Sequence, residues 1–224
     1  MKNQIIFSTF FLLANICLGQ NESKNSDYGF CVYTGVQMPE LKNINTLLAS
    51  NNFPTFTKNI FSGGFLLYKE SGKIFNTIEI FGLNSISNSD SSNSSLRVVS
   101  TAISTGYNYK LSEKISIIPS LSLNVFQAAL KTFTTSTSNV DYTTYISTIK
   151  QQSEINGLGV GISPNVMVLV TPFEKWKPFH FGLKMGYNFT TNLDWKVDND
   201  YKVNSVPKFE PLGVNISFLV GLKF

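Results

Sequence analysis

Apolar and polar residues alternate along most of this chain. From residue 179 to 190 every odd position (Phe179, Phe181, Leu183, Met185, Tyr187, Phe189) is large and apolar, and every even one is Gly or polar. A β-strand produces this period of two because successive side chains point to opposite faces; a helix would scatter the same set around its circumference. The last segment repeats it, with Val214, Ile216, Phe218, Val220, Leu222 and Phe224 in one phase. Residues 99–111 do so with Ile103, Tyr107 and Tyr109 against Ser100, Ala102, Ser104, Gly106 and Asn108, and segments 28–36, 115–125 and 158–170 follow the same rule. Segments 60–70 and 74–85 flank Ser71-Gly72-Lys73, a tight-turn signal that joins them as a hairpin. Both faces of that hairpin are mixed, so the pattern leaves its register open.

These eight predicted strands are joined by links of alternating length. Short ones fall at 71–73, 112–114 and 172–178, and long ones, rich in Asn, Ser, Thr and Asp, at 38–59, 86–95, 131–154 and 191–212. In the first long link Leu41, Ile44, Leu47 and Leu48 recur at helical spacing and predict a short amphipathic helix. No repeat unit and no linker divides the chain after its first segment.

That first segment has a different logic. Met1-Lys2-Asn3-Gln4 is positively charged, residues 5–16 are almost wholly apolar, and Cys17-Leu18-Gly19-Gln20 is small and polar. This is the order of a secretory signal peptide, with an apolar run too short to span a bilayer. Cleavage after Gly19 is expected, giving a signal peptide over 1–19 and one domain over 20–224; lipoprotein processing at Cys17 is the competing reading, disfavoured by the bulk of Ile16. Cys31 is then the one cysteine of the mature chain. It has no internal disulfide partner, and it reads as a small strand side chain, not a reactive thiol.

Composition narrows the classes further. Charged residues make up 14% of the 224, against roughly 25% in an ordinary soluble domain, and mean hydropathy is +0.04. Nineteen Phe within 13% aromatic content supply ample surface to bury, which excludes a disordered chain. No succession of long apolar runs supports a helical membrane bundle. Eighteen basic residues against 14 acidic ones form no cluster suited to nucleic acid. One His and two Cys leave no ordinary ligand set for zinc or haem, so neither metal nor cofactor is expected.

A sheet with one apolar and one polar face closes in one of two ways. A soluble barrel turns its apolar face inward; a transmembrane barrel turns it outward to lipid. Three features favour the second. The polar faces are Gly, Ser and Asn rather than Lys and Glu, which suits a narrow, filled interior. Aromatics gather near strand ends (Tyr107 and Tyr109, Phe179 and Phe181, Tyr187 and Phe189), where interfacial girdles belong. Short turns also alternate with long loops. Closure has a physical reason too, because in lipid every backbone N–H and C=O must be paired.

The stretch Phe218-Leu219-Val220-Gly221-Leu222-Lys223-Phe224 resembles the carboxy-terminal assembly signal of outer-membrane β-barrel proteins, with Phe218, Val220, Leu222 and Phe224 as its apolar row. With the signal peptide and the hairpin rhythm, the chain resembles the small eight-stranded family typified by the OmpA transmembrane domain and OmpX. That resemblance implies an all-β fold: a single eight-stranded antiparallel up-and-down transmembrane barrel in a bacterial outer membrane. It further implies periplasmic termini, four outward loops, a monomer, and no wide pore. It carries no catalytic motif. The implied partners are outer-membrane lipid, the barrel-assembly machinery and an unidentified extracellular loop ligand, with no nucleic acid. The implied role is structural, adhesive or loop-mediated binding. Two other classes compete: an envelope-lipid-modifying barrel enzyme, and a secreted soluble barrel that holds an apolar ligand.

Few side chains suggest chemistry. His180 lies in the inward phase of its strand, near a short turn, and no Gly-x-Ser-x-Gly motif accompanies it; a hydrogen-bonded lumen histidine is expected, and no catalytic residue. Glu79, within Ile78-Glu79-Ile80, should face the lumen, because an unpaired charge in lipid costs several kcal/mol. Lys110 and Lys184 are inward candidates to pair with it, as a static ion pair and not a gate. Asp90, Asp141, Asp194, Asp198 and Asp200 read as solvated loop residues, since Asp198-Asn199-Asp200 lacks the Gly and distal Glu of a calcium loop. Asn93-Ser94-Ser95 and Asn188-Phe189-Thr190 match the glycosylation triplet, which has little meaning in a bacterial envelope.

Overall fold

Alternation continues longest in the strand that begins at Ile115. Strand β5 (Ile115–Thr134) runs for 20 residues in a computed structural model that describes residues 26–134, 153–172, 178–191, 193–197, 201–202 and 210–224. The signal-peptide segment, Asp141 and Asp198-Asn199-Asp200 lie outside the described residues. The other barrel strands are β1 (Ser26–Glu40), β2 (Ile60–Ser71), β3 (Ile74–Asn88), β4 (Ser92–Tyr107), β6 (Ser153–Val170), β7 (Phe179–Thr190) and β8 (Glu210–Lys223). Each pairs antiparallel with the next, and β8 returns to β1, from Gly29 opposite Lys223 to Gln37 opposite Asn215. The eight strands thus close into a barrel. Tyr109–Lys110 continues β4 beyond Asn108, and Asp194–Val197 extends the wall beside β6 before pairing with Tyr201–Lys202.

The hairpin whose register the sequence left open pairs Ser71 with Ile74 and Leu66 with Glu79. Gly72 makes the turn possible, with φ of 62°, a conformation costly for any residue bearing a Cβ. In this register Leu66, Tyr68, Phe75 and Phe81 all point inward and are buried, while Phe65 and Leu67 point outward. Large groups on both faces explain why no clean alternation was visible.

Strands reach further toward the looped end than the alternation suggested. The expected long link at 86–95 shrinks to a turn between Asn88 and Ser92, because the ladder continues to Asn88 opposite Asn93. β5 and β6 likewise pair up to Thr132 opposite Ser153. The reason lies in which face is apolar. Along β5, Ile115, Leu121 and Leu123 are exposed on the outside, while Ser122 and Asn124 are buried. Beyond Val125 the faces exchange character: Phe126, Ala128 and Leu130 are buried inside, and Gln127 points out. In β4 the same exchange sets buried Leu96 and Val98 against outward Arg97.

One environment cannot produce both halves of such a strand. Residues 115–125 number about what a tilted strand needs to cross a bilayer. Above them water is outside, so the apolar groups turn in, as in a soluble barrel. Helix α1 (Lys42–Ser50) belongs to this upper zone. It buries Ile44 and Leu48 in the cluster that contains Leu83, Leu96, Trp195 and Leu212. It ends at Asn51 and Asn52, the latter at φ 60°, which Asn tolerates. Asn45 holds the following loop by accepting from the Phe56 N–H and donating to its carbonyl. At the opposite, turn end, Lys69 and Lys73 lie 5.6 and 5.7 Å from the rings of Tyr28 and Tyr107, the aromatic–cation pairing expected at a membrane interface.

Candidate functional site

Among the described residues the lumen is where strands from all sides bring polar groups together. At the turn end Glu70 is the centre of a clasp. It accepts from Lys223 and Lys110, at 2.8 and 2.9 Å, and from Asn108 at 2.9 Å. Lys223 also meets Asp27 at 2.8 Å, so this cluster ties together β1, β2, the end of β4 and β8, including the closing seam.

Above the clasp lies His180. Its Nε2 is 3.1 Å from Cys31 Sγ and 3.5 Å from the Tyr68 hydroxyl, and its ring meets Tyr68 edge-on at 5.5 Å. Tyr68 in turn stacks on Phe75 at 4.8 Å. Glycines make the room. A Cβ on Gly221 would stand 2.6 Å from Cys31 Sγ, and one on Gly29 would overlap the Tyr68 ring. All of Cys31, Tyr68 and His180 are buried, so this cluster fills the barrel rather than facing an open site.

At mid-height Glu79 is held on both sides. Tyr33 donates its hydroxyl to one carboxylate oxygen, and the Lys184 ammonium pairs with the other. Lys110, the second candidate for this pair, is not there. Glu79 stands opposite Ala102, whereas Lys110 is eight residues further along, roughly 26 Å toward the turns at 3.3 Å per residue. It sits at the rim with its side chain 60% exposed, on Glu70. Beside the triad, Asn124 donates to Ser163 and Asn188, Asn165 donates to Ser122 at 2.9 Å, and Asn188 donates to the Gly213 carbonyl at 3.0 Å. Asn188 is thereby a buried lumen residue, not a glycan acceptor.

What remains open among these groups is a cavity of about 10 Å³, lined by Gln37, Glu79, Asn165, Lys184, Asn215 and Ser217. That is room for about one water. Among the described residues no three His, Cys, Asp or Glu side chains gather as a metal site. The lumen is a packed polar core. Replacing Gly186 by Leu should therefore destabilise the barrel by roughly 1–3 kcal/mol through overpacking, because even a Cβ there would stand 2.8 Å from the Pro164 carbonyl and overlap Asn165. Urea unfolding in vesicles measures this; parental stability would mean an open lumen.

The clasp at Glu70 and the cluster at Cys31 were not visible in the sequence. The strand phases put Cys31, His180 and Lys223 inward, but Tyr68 and Glu70 lie in the hairpin whose faces are mixed, and which inward groups stand level depends on its register. The row of Phe218, Val220, Leu222 and Phe224 lies on the exterior, exposed from end to end.

No family model and no curated protein matches the chain. Among solved structures it is similar to Neisserial surface protein A, at 11% identity and a TM-score of 0.46 over 89% of this chain and 97% of that one. It is also similar to Ail, the attachment invasion locus protein of Yersinia pestis, in complex with the heparin analogue sucrose octasulfate. That match has 9% identity and a TM-score of 0.48 over 89% and 97% of the two chains. A major outer membrane protein from Thermus thermophilus matches at 10% identity and a TM-score of 0.48 over 88% and 99%. The geometry of the chain itself carries the assignment. A closed sheet, an apolar exterior belt of membrane height bounded by aromatic residues, and a polar filled lumen together make this a small eight-stranded transmembrane β-barrel.

Proposed function

We propose that this barrel is a non-conducting outer-membrane protein whose role is structural, or is exerted by what it presents at its looped end, as adhesion or binding of an extracellular ligand. The observation that carries this reading is the lumen, packed by the described residues from the Glu70 clasp to the apolar side chains at Leu96 and Leu212, with room for about one water beside Glu79 and Lys184. A pore needs a continuous aqueous path, and a hydrolase needs a group that substrate can reach; Cys31 and His180 are closed off inside the wall. The extension beyond the lipid belt supports presentation, since Ile44, Leu48, Leu96 and Leu212 packed inside it make it a pedestal for the links it carries. On this reading the barrel acts as a monomer, and its partners are membrane lipid, the assembly machinery that would read the Phe218–Phe224 row, and a ligand at the loops.

Two measurements test it together. Planar bilayers containing the folded protein should show no discrete conductance steps. An impermeant thiol reagent applied to intact cells should label Asp90→Cys, at the tip of the β3–β4 turn, and leave Gly72→Cys unlabelled, with Cys31 silent in both because it is buried. Stable channel openings would overturn the closed lumen, and labelling of Gly72→Cys alone would invert the orientation.

A further inference from the structure

On one side of the lumen a group of buried polar side chains has no protein partner. Asn165 on β6, Gly186 on β7, Asn215 on β8 and Gln37 on β1 follow one another across the ladders in a single row, with their side chains inward. Gly186 leaves a gap in that row, and Asn165 leans over it, so that a Cβ on Gly186 would overlap Asn165 Oδ1. Ser217, opposite Lys184, borders the gap on the turn side. The cavity of about 10 Å³ lies here.

The hydrogen bonds around it do not close. Asn165 donates to Ser122 and to the Ser163 carbonyl, at 2.9 and 2.8 Å, but its Oδ1 accepts from no group among the described residues. Gln37 Oε1 is buried without a partner. The side chains of Asn215 and Ser217, in residues only 5% and 3% exposed, likewise bond to no described residue. Buried polar groups left unpaired by protein are as a rule paired by water.

We propose that this gap is a binding site for a single resident water, which donates to Gln37 Oε1 and Asn165 Oδ1 and accepts from Ser217 and the Asn215 amide. The donor set selects the ligand. Two acceptors and two donors match a water, whereas an ion of either sign would satisfy only half of them. Glu79 and Lys184 line the same cavity and already neutralise each other, so an ion would add an unbalanced buried charge. The volume admits one water and no organic molecule. Apolar side chains cut it off from bulk solvent: Met167 and Leu219 lie two residues toward the turns, and Phe126 two residues beyond Asn124 toward the loops, all buried. The site thus rests on the closed lumen proposed above and gives that lumen a slowly exchanging internal water.

The test is oxygen-17 magnetic relaxation dispersion on the folded full-length barrel in micelles, which counts waters held longer than the protein takes to tumble. Ser217→Thr keeps the hydroxyl and adds a methyl that takes up about the ~30 Å³ share of one water. The parent should hold one more long-lived water than this variant. Gln37→Met, similar in length but without the acceptor, should shorten the residence time of that water roughly fivefold, the factor for one net hydrogen bond. Ser95→Thr, on the outer face beside inward Leu96, should leave the count unchanged. Heat-modifiable migration verifies that each variant is folded. Equal counts in the parent and Ser217→Thr, or an unaltered residence time in Gln37→Met, would overturn the site while silent bilayers left the closed lumen standing. Many rapidly exchanging waters together with conductance steps would overturn both.

Discussion

Glu79→Gln should destabilise the folded barrel by about 3–5 kcal/mol, the largest effect expected of a near-isosteric change in this protein. The carboxylate and its partner Lys184 have side chains only 5% and 12% exposed. Neutralising Glu79 leaves the Lys184 ammonium in a filled lumen with no counter-charge, while the Tyr33 hydroxyl can still donate to the amide oxygen. The cost is therefore specific to the orphaned cation. Lys184→Met added to Glu79→Gln should recover most of it, because nothing charged is then buried, and the double-mutant cycle should show strong coupling. Unfolding by urea in lipid vesicles, followed by tryptophan fluorescence, measures both. A single-variant cost under about 1 kcal/mol, the value of an exposed pair, would mean that water reaches the site.

Leu183→Arg should cost on the order of 2–4 kcal/mol in a bilayer, and Gln127→Arg about 0–1. Leu183 lies midway along β7, between Val168 and Phe218 on the neighbouring strands, with its side chain outward. With the side chain outward, as here, the same change in water would cost little, so the measurement reads whether lipid surrounds this face. Gln127 is the matched control, outward on β5 just beyond the exchange of faces. Equal effects at the two sites would remove the distinction between belt and extension on which the outer-membrane assignment rests.

Residues 179–190 and 214–224 show why so much of the fold was legible. Lipid on one side and a crowded interior on the other impose opposite demands on alternate residues, and where both demands are strict the side-chain pattern records them. The 60–70 and 74–85 hairpin shows where legibility ends. Tyr68 fills volume vacated by Gly29 on the adjacent strand and stacks on Phe75, so an inward row here is aromatic while the inward row of β7 is His, Gly, Lys and Asn. Volume is conserved across the barrel, not along a strand.

The same distinction governs the charged groups. That Glu79 faces inward followed from the cost of a carboxylate in lipid, a property of one residue and its two neighbours. That Lys184 meets it, and Lys110 instead meets Glu70, depends on heights set by ladder register. The reach of the strands beyond the membrane was obscured for a related reason. Residues 86–95 are polar in a way that suits a loop, and they are also the outer wall of a sheet whose apolar partners, Leu83 and Leu96 among them, turn inward once lipid gives way to water.

By itself the sequence determined the number of barrel strands, the phase of six of them and the lipid-facing rows, because alternation is a local property read two residues at a time. Only the tertiary structure decided the hairpin register, the partners of each lumen charge and the packing of the interior. Each of those depends on which residues of different strands come level, and that is fixed by closing the whole sheet at once.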